Sequence, residues 1–157
     1  MIVDARSYTV QQAAMPAFLE RVEQVGLPLQ KKYGYDLAGY FTVETGELNT
    51  VVHYWKWANA AERQEKRRAL NADPEWTDFR RSNAEIYVKQ SNRLLTATDV
   101  VEPFKFMGNG SEFGFVDERT YTITYGQVPH CVALTKMVAW PIIERAGWQL
   151  IGYFFSI

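Results

Sequence analysis

Apolar and polar residues follow two different periods at the start of the chain, and these predict a strand and then a helix. Residues 2–10 (IVDARSYTV) are rich in β-branched and aromatic types, and every second side chain falls on the same face. From Met15 to Tyr33, apolar residues recur at the spacing of one helical face. Pro28 interrupts that pattern because it has no N–H to donate, so we expect a kink or break over residues 26–28.

A hairpin is predicted after this helix. Residues 37–43 and 49–57 are β-prone runs, and turn-forming residues lie between them at 44–48. Large apolar or aromatic side chains occur on both faces of the second run. We therefore expect the sheet to be covered on both sides, by its own helices on one and by another sheet or subunit on the other.

Two capping signals predict the helices that follow. Asn59, with Glu62 three positions later, forms a variant of the capping box ahead of a heavily charged helix. Asp73 followed by Pro74 is typical of a second helix start. A short strand over residues 93–96 then completes a β-α-β-β-α-β order. This order predicts an α+β, ferredoxin-like unit whose second helix is divided in two.

The chain also resembles itself at an offset of 113 residues (116 − 3). VDARSYTV at 3–10 matches VDERTYTI at 116–123, and two prolines and one glycine align further along. Without a gap, 13 of the 42 positions in 3–44 are identical to their equivalents in 116–157. We interpret this agreement as a duplicated unit.

The repeat predicts a division of the chain into three parts. Residues 1–97 form the complete ferredoxin-like domain, 98–114 a glycine-containing linker, and 115–157 a truncated second repeat of β-α-β order. The last strand, over 149–156, is apolar and prone to aggregate if its edge stays open. We therefore expect residues 150–157 to pair with the same sheet or with a neighbouring subunit.

Composition narrows the class of protein. A net charge of −1 and a pI near 6.1 argue against nucleic-acid binding, which favours a strongly basic face. No apolar run approaches the roughly 18 residues of a membrane span. The single cysteine, Cys131, cannot form an internal disulfide and fits a reducing compartment. Because no secretory signal precedes the first strand, we expect a cytoplasmic protein.

Several separated motifs resemble the NIPSNAP family. They are an acid-x-Arg-x-Tyr-Thr signature at 4–9 and again at 117–122, NTVVHYW at 49–55, and DPEW at 73–76. The resemblance implies a dimeric α+β barrel in which two ferredoxin-like units pack their sheets together, and hence a homo-oligomer formed through the sheet. The second copy departs from the family pattern because it lacks the second hairpin strand, the second helix and the last strand.

His53 is the strongest candidate for chemistry. It lies mid-strand among aromatic residues, and histidine is the side chain most easily placed to move a proton near neutral pH. It is either an acid/base or ligand-orienting group in a cleft, or a structural histidine hydrogen-bonded within a packed strand. Since no second histidine or carboxylate lies close in sequence, we expect neither a metal site nor a cofactor.

Asp4, Arg6 and Tyr8 share one strand face with each other because strand side chains alternate. Arg6 and Tyr8 are candidate ligand-binding residues, with Arg6 placed to hold a carboxylate. The alternative is an internal ion pair that fixes the sheet register. Trp55 is a further candidate, as one wall of an aromatic-lined ligand cavity. The basic residues of the charged helix alternate with acidic ones, so we expect pairs along a solvated face there.

Two functions remain open from the sequence. One is a self-associating binding or assembly module with a cavity for a small apolar ligand. The other is a cofactor-independent barrel enzyme, an oxygenase or isomerase acting on a small apolar or aromatic molecule. His53 would be its acid/base group, oriented with Arg6 or Tyr8. A cavity reached by His53 and by one of these two residues would favour the enzyme.

Overall fold

The computed structural model of the protein describes residues 1–105 and 114–157, which form two units, Met1–Leu95 and Thr96–Ile157. The first unit has the predicted β-α-β-β-α-β order, so the α+β, ferredoxin-like class is confirmed. Its strands are β1 (Ile2–Val10), β2 (Asp36–Thr42), β3 (Thr50–Trp57) and β4 (Tyr87–Ala97). Its helices are α1 (Met15–Arg21), α2 (Leu27–Lys32), α3 (Ala60–Asn71) and α4 (Pro74–Asn83).

The four strands of this unit lie in the order β2-β3-β1-β4. Strand β3 pairs antiparallel with both of its neighbours, and His53 lies opposite Arg6 on β1 and opposite Tyr40 on β2. Residues opposite one another in an antiparallel pair point to the same face. The register therefore brings Arg6, His53 and Tyr40 together on one side of the sheet.

That side of the sheet packs against the helices. Its core consists of two clusters of buried apolar residues, to which β1, β3 and all four helices contribute. The first cluster is Val10, Phe18, Val22, Val51 and Phe79. The second is Leu29, Tyr35, Trp55, Trp57 and Leu70.

The break expected near Pro28 is a π-helical turn, Val22–Gly26, between α1 and α2. Pro28 itself lies in the first turn of α2, where the missing N–H costs least. The turn places Gly26 against Phe79 of α4, so closely that an added Cβ would lie 2.8 Å from the Phe79 ring. A glycine is therefore needed where the two helices approach.

Both predicted helix caps form. The Asn59 side chain accepts a hydrogen bond from the Glu62 N–H over 2.9 Å, and Asp73 accepts one from the Glu75 N–H over 2.8 Å. Asp73 also accepts bonds from Lys32 at 2.9 Å and from the Tyr33 hydroxyl at 2.8 Å. The second cap thus ties the start of α4 to the end of α2.

The closing strand is longer than the sequence predicts. It spans Tyr87–Ala97 rather than residues 93–96, because α4 ends at Asn83 and a short 3₁₀ turn leads directly into the strand. Residues 88–93 are exposed and polar enough to hide the strand from a hydrophobicity pattern. Their place in the sheet comes from pairing beside β1, which is a tertiary effect.

The helical part of the second unit repeats that of the first. It consists of α5 (Val128–Leu134), a π-helical turn (Thr135–Ala139) and α6 (Trp140–Arg145). Each element begins 113 residues after its counterpart: 15 + 113 = 128, 22 + 113 = 135 and 27 + 113 = 140. The same sequence pattern thus produces the same helix irregularity twice.

The strands of the second unit differ from the expectation. Residues 116–123, all described, form no strand, and the final strand β5 is only Phe154–Ser156. In the first unit β1 lies between β3 and β4, whereas residues 116–123 pair with no strand among the described residues.

The end of the chain is nevertheless paired. The final strand β5 and the residues just before it belong to the second unit, and backbone hydrogen bonds within that unit hold this segment. Just beyond β4, the Thr98 N–H donates to the Tyr153 carbonyl over 2.9 Å, and the Phe104 N–H donates to the Ile151 carbonyl over 2.7 Å. These bonds occupy the edge that we expected to need a partner.

Candidate functional site

A cavity of about 740 Å³ opens in the first unit. Three of the candidate residues line it: Arg6 and Tyr8 from β1, and His53 from β3. Its walls also include residues from β2, β4 and the helices: Phe18, Val22, Gln30, Tyr35, Tyr40, Arg67, Asn71, Trp76, Thr77, Phe79, Arg80, Arg81, Ala84, Tyr87 and Gln90.

His53 is buried at the wall of the cavity and only 3% exposed. Its Nδ1 atom accepts a 2.7 Å hydrogen bond from the Trp55 indole N–H. The Tyr40 ring stacks on the imidazole at 4.8 Å between ring centroids, and Tyr8 meets it edge-on at 4.9 Å. Burial, and then the charge of Arg6, lower the pKa of His53 to about 3.

The hydrogen bond from Trp55 determines which nitrogen of His53 carries the proton. An indole N–H can only donate, so Nδ1 is the acceptor and the neutral ring has its hydrogen on Nε2. Nε2 is buried and has no hydrogen-bond partner among the described residues. His53 therefore presents an unused N–H donor in a ring that lines the cavity.

Asp4 lies behind the cavity at the centre of a cluster of arginines. Its side chain is fully buried, and its Oδ2 atom accepts bonds from Arg6 at 2.8 and 3.1 Å and from Arg63 at 2.9 Å. Arg67 reaches within 3.9 Å of the same oxygen. Burial alone would raise the pKa of Asp4, but Arg6 and Arg63 outweigh it and hold the pKa below its ordinary value.

The expectation that the charged helix pairs only along its own surface is wrong for two of its arginines. Lys66 and Glu62 do form such a pair at 2.6 Å. Arg63 and Arg67 instead point toward the sheet and meet Asp4. The cause is the buried carboxylate of Asp4, which lies 59 positions from Arg63 in sequence and is therefore invisible to a local pattern.

The cluster carries more positive than negative charge. Burial, followed by repulsion from Arg6 and Arg63, lowers the pKa of Arg67. Four arginines line the cavity in the described structure, but no Asp or Glu does: Arg6, Arg67, Arg80 and Arg81. An anion entering the cavity would meet an attractive field.

The fourth candidate, Trp55, does not line this cavity. Trp55 lines a separate pocket of about 250 Å³ together with Tyr35 and Leu37. Its indole N–H donates a hydrogen bond to Nδ1 of His53.

Two lining residues were not among the candidates: Tyr40 was not singled out, and Arg67 was considered with the other basic residues of α3 and α4 as an anion-binding surface but assigned to a solvated helix face. The hairpin prediction alone does not find Tyr40, because a turn over 44–48 pairs residue 43 with residue 49 and so sets Tyr40 opposite Val52, whereas the structure sets it opposite His53.

Within residues 1–105 and 114–157, no group of three potential metal ligands comes together. The same residues contain no helix with the length and apolar character needed to cross a membrane. The side chains that line the cavity offer arginine guanidinium groups, tyrosine phenols, aromatic faces, carboxamides, a threonine hydroxyl and one neutral imidazole.

Comparison with known sequences gives one family. A sequence model of the NIPSNAP family matches residues 3–101. The human protein NipSnap homolog 3A is 38% identical over 91 residues, which are 57% of this chain and 36% of that protein. The human NipSnap homolog 3B is 36% identical over 74 residues, 46% of this chain and 29% of that protein. The chain thus spans about a third of the length of the curated relatives it matches.

Comparison with solved structures agrees. A NIPSNAP family protein from Agrobacterium tumefaciens superposes with a TM-score of 0.60 at 32% identity, over 62% of this chain and 93% of that one. An uncharacterised NIPSNAP domain protein from Burkholderia xenovorans gives a TM-score of 0.60 at 30% identity, over 62% of this chain and 95% of that one.

Proposed function

Since this chain belongs to the NIPSNAP family, whose name specifies no reaction, we propose a function from its own cavity: it is a self-associating module that binds a small molecule in the first unit. The cavity volume of about 740 Å³ falls within the range of roughly 300–1,000 Å³ typical of small-molecule sites. The ligand that fits the walls has an apolar or aromatic body.

One observation carries this proposal: the buried Nε2–H of His53 has no partner among the described residues and belongs to a ring on the cavity wall. A buried donor left without an acceptor costs about 1–3 kcal/mol. An acceptor atom of a ligand would recover that free energy. The faces of Tyr40 and Tyr87 beside it supply apolar contact area for the rest of the molecule.

A blocking variant tests whether ligands enter this cavity. Ala84 is exposed and lines the cavity, so Ala84→Trp should fill it. Ala69 is exposed on α3 and does not line the cavity, which makes Ala69→Trp the matched control. We expect 2-naphthamide, a neutral aromatic probe, to bind the wild type and Ala69→Trp in calorimetric titrations and to lose binding to Ala84→Trp. Equal affinity for all three proteins would place the ligand elsewhere and contradict the proposal.

Catalysis is a second candidate, favoured by the presence of Arg6, Tyr8 and His53 around one cavity. We place it below binding because general bases act best with a pKa near the working pH, and burial lowers the pKa of His53 to about 3. The test is mass spectrometry of 2-naphthol incubated in air with wild-type protein and with His53→Gln. Product formed only by the wild type would favour the enzyme.

Exposed apolar side chains support self-association. In the second unit Met137 is 77% exposed, Ile142 53% and Trp148 55%. The residues 113 positions before the last two, Leu29 and Tyr35, are 5% and 8% exposed. Analytical ultracentrifugation at increasing protein concentration should show a dimer or larger species, and Ile142→Glu should shift it toward the monomer. A concentration-independent monomer would contradict self-association.

A further inference from the structure

We propose that the ligand of this cavity is a small organic carboxylate, whose carboxylate lies between Arg67 and the Nε2–H of His53 and whose aromatic or apolar body lies against the ring-lined wall. This inference rests on the proposed binding function and specifies its ligand. It depends on three features of the first unit: an uncompensated positive charge, a free neutral donor and an adjoining aromatic wall.

Arg6 connects the imidazole of His53 to the arginine cluster around Asp4. Arg6 and His53 are direct cross-strand neighbours, which places their Cβ atoms about 4.5–5.5 Å apart. Arg6 and Arg67 both approach the same oxygen of Asp4, at 2.8 and 3.9 Å. Gln30, which is only 6% exposed, lines the same cavity and adds a buried side-chain amide.

The charges in this cluster do not balance. Three guanidinium groups surround Asp4, which supplies one negative charge, so two positive charges remain uncompensated. Arg6 and Arg63 hold the Asp4 carboxylate at hydrogen-bond distance, while Arg67 at 3.9 Å stays beyond it. Burial, and then repulsion from Arg6 and Arg63, lower the pKa of Arg67, and a second anion would relieve the repulsion. Arg67 is thus the cation placed to accept an incoming carboxylate.

The neutral imidazole complements that cation. A carboxylate is an acceptor only, with two oxygens, and the two groups that lack an acceptor here are Arg67 and the Nε2–H of His53. One oxygen can bond to each group. A neutral ligand atom would use the His53 donor but leave the excess charge in place. The match of two donors to two oxygens favours a carboxylate over a neutral ligand.

The rest of the cavity is suited to the body of the ligand. Trp76 and Phe79 stack at 5.1 Å between centroids, and Tyr8 and Tyr87 meet edge-on at 5.5 Å. These rings line the cavity and offer flat, apolar surface. An inorganic anion would leave this surface without contacts, whereas an aromatic or branched carboxylate would cover it.

Calorimetric titrations with three probes at pH 7 test the inference on the full chain. The probes are 2-naphthoate, its neutral amide 2-naphthamide, and inorganic phosphate. We expect the wild type to bind the carboxylate at least tenfold more tightly than the amide, and phosphate more weakly than either. Equal affinities for carboxylate and amide would overturn the carboxylate assignment and leave the binding function standing. Phosphate binding more tightly than the carboxylate would overturn it as well, and failure of both organic probes to bind would count against the proposed function itself.

Two arginines of the same helix provide the variant and its control. Arg67→Gln removes one of the four arginines that line the cavity, the one assigned to the carboxylate, whereas Arg68→Gln changes an exposed arginine that does not line it. We expect Arg67→Gln to reduce the preference for carboxylate over amide to about twofold, with amide affinity unchanged, and Arg68→Gln to retain it. A preference that survives in Arg67→Gln would overturn the role of Arg67.

As a second measurement, the His53 Nε2–H resonance should move downfield when 2-naphthoate binds, and an unmoved resonance in the saturated complex would overturn the role of His53.

Discussion

The indole N–H of Trp55 donates to Nδ1 of His53 over 2.7 Å, two residues away on the same strand face. This bond fixes the neutral tautomer of the imidazole and leaves its Nε2–H buried and without a partner among the described residues. Trp55 thus contributes to the site without lining the cavity. Its role is to orient His53.

Two tryptophans of β3 allow that bond to be measured. Trp55 and Trp57 are each 2% exposed, but the Trp57 indole N–H has no partner among the described residues. Replacing either by Phe removes a similar volume, while only Trp55→Phe leaves Nδ1 of His53 without a donor. We therefore expect Trp55→Phe to lower the free energy of unfolding in urea by about 1–3 kcal/mol more than Trp57→Phe does. Equal losses would show that the bond adds no stability.

The sequence could predict that Arg6 and Tyr8 share a face because alternation along a strand is a local property, and both line the cavity with His53. The side chain at 6 must share a face with those at 4 and 8 in any strand. Which residues of other elements complete the site depends on register and helix packing. Arg67 joins the cavity only because a buried carboxylate on β1 attracts it, and nothing in the helix sequence carries that information.

The low pKa of His53 predicts how stability changes with pH. An unfolded histidine titrates near 6.5, and in the fold the pKa is about 3, so the unfolded state binds more protons between these values. The contribution of His53 is complete above pH 6.5 and is lost as the pH falls toward 3. The free energy of unfolding changes through this group by at most roughly 1.4 kcal/mol per pH unit.

Urea unfolding of wild type and His53→Gln at half-unit steps from pH 4 to 8 measures this term. The difference between the two proteins cancels the contributions of other groups that titrate in the same range. We expect the free energy of unfolding of the wild type, relative to that of His53→Gln, to be constant above pH 6.5 and to fall as the pH drops below 6.5. A difference independent of pH would contradict the buried neutral imidazole.

The repeat supplies a matched pair for the buried ion cluster. Asp4 with Arg6 and Asp117 with Arg119 have the same spacing and similar contacts, at 2.8 and 2.7 Å. The Asp4 side chain is fully buried, whereas that of Asp117 is 38% exposed. Exposed ion pairs contribute about 0–1 kcal/mol, but removing one member of a buried pair costs about 3–5 kcal/mol.

We expect Asp4→Asn to destabilise the first unit by about 3–5 kcal/mol, because Arg6 and Arg63 lose their shared counter-charge. Asp117→Asn should cost less than about 1 kcal/mol. Urea unfolding monitored by far-UV circular dichroism gives the loss of stability for both variants. Native-state hydrogen exchange of β1 amides checks the loss for Asp4→Asn in the first unit. Similar losses in the two variants would mean that burial does not distinguish the two pairs.

Local patterns predicted the helices of both units better than their strands. The helix with its break near a proline forms in each unit at the same relative position, because helical hydrogen bonds are made within the segment. Residues 116–123 keep the β-prone sequence of β1 and still form no strand. A strand needs a neighbour, and its formation therefore depends on residues far away in sequence.

Gly26 ends the first π-helical turn, and Ala139 ends the second. Gly26 has a φ of −61°, which any residue adopts, so its backbone does not require glycine. The close packing requires glycine instead, because an added Cβ would lie 2.8 Å from the Phe79 ring.

Helix propensity alone predicts that Gly26→Ala stabilises the protein by roughly 0.8–1 kcal/mol. The contact with Phe79 predicts the opposite sign, because overpacking a filled core costs about 1–3 kcal/mol. We expect the contact to dominate, since a shift of the buried Phe79 ring would disturb its stacking on Trp76. The double variant Gly26→Ala, Phe79→Leu should then lose less free energy of unfolding than the two single variants lose together. At the equivalent site of the second unit, the reverse change Ala139→Gly should follow helix propensity and destabilise the protein mildly. A wild-type or higher free energy of unfolding for Gly26→Ala would show that α1, α2 and α4 adjust freely around this position.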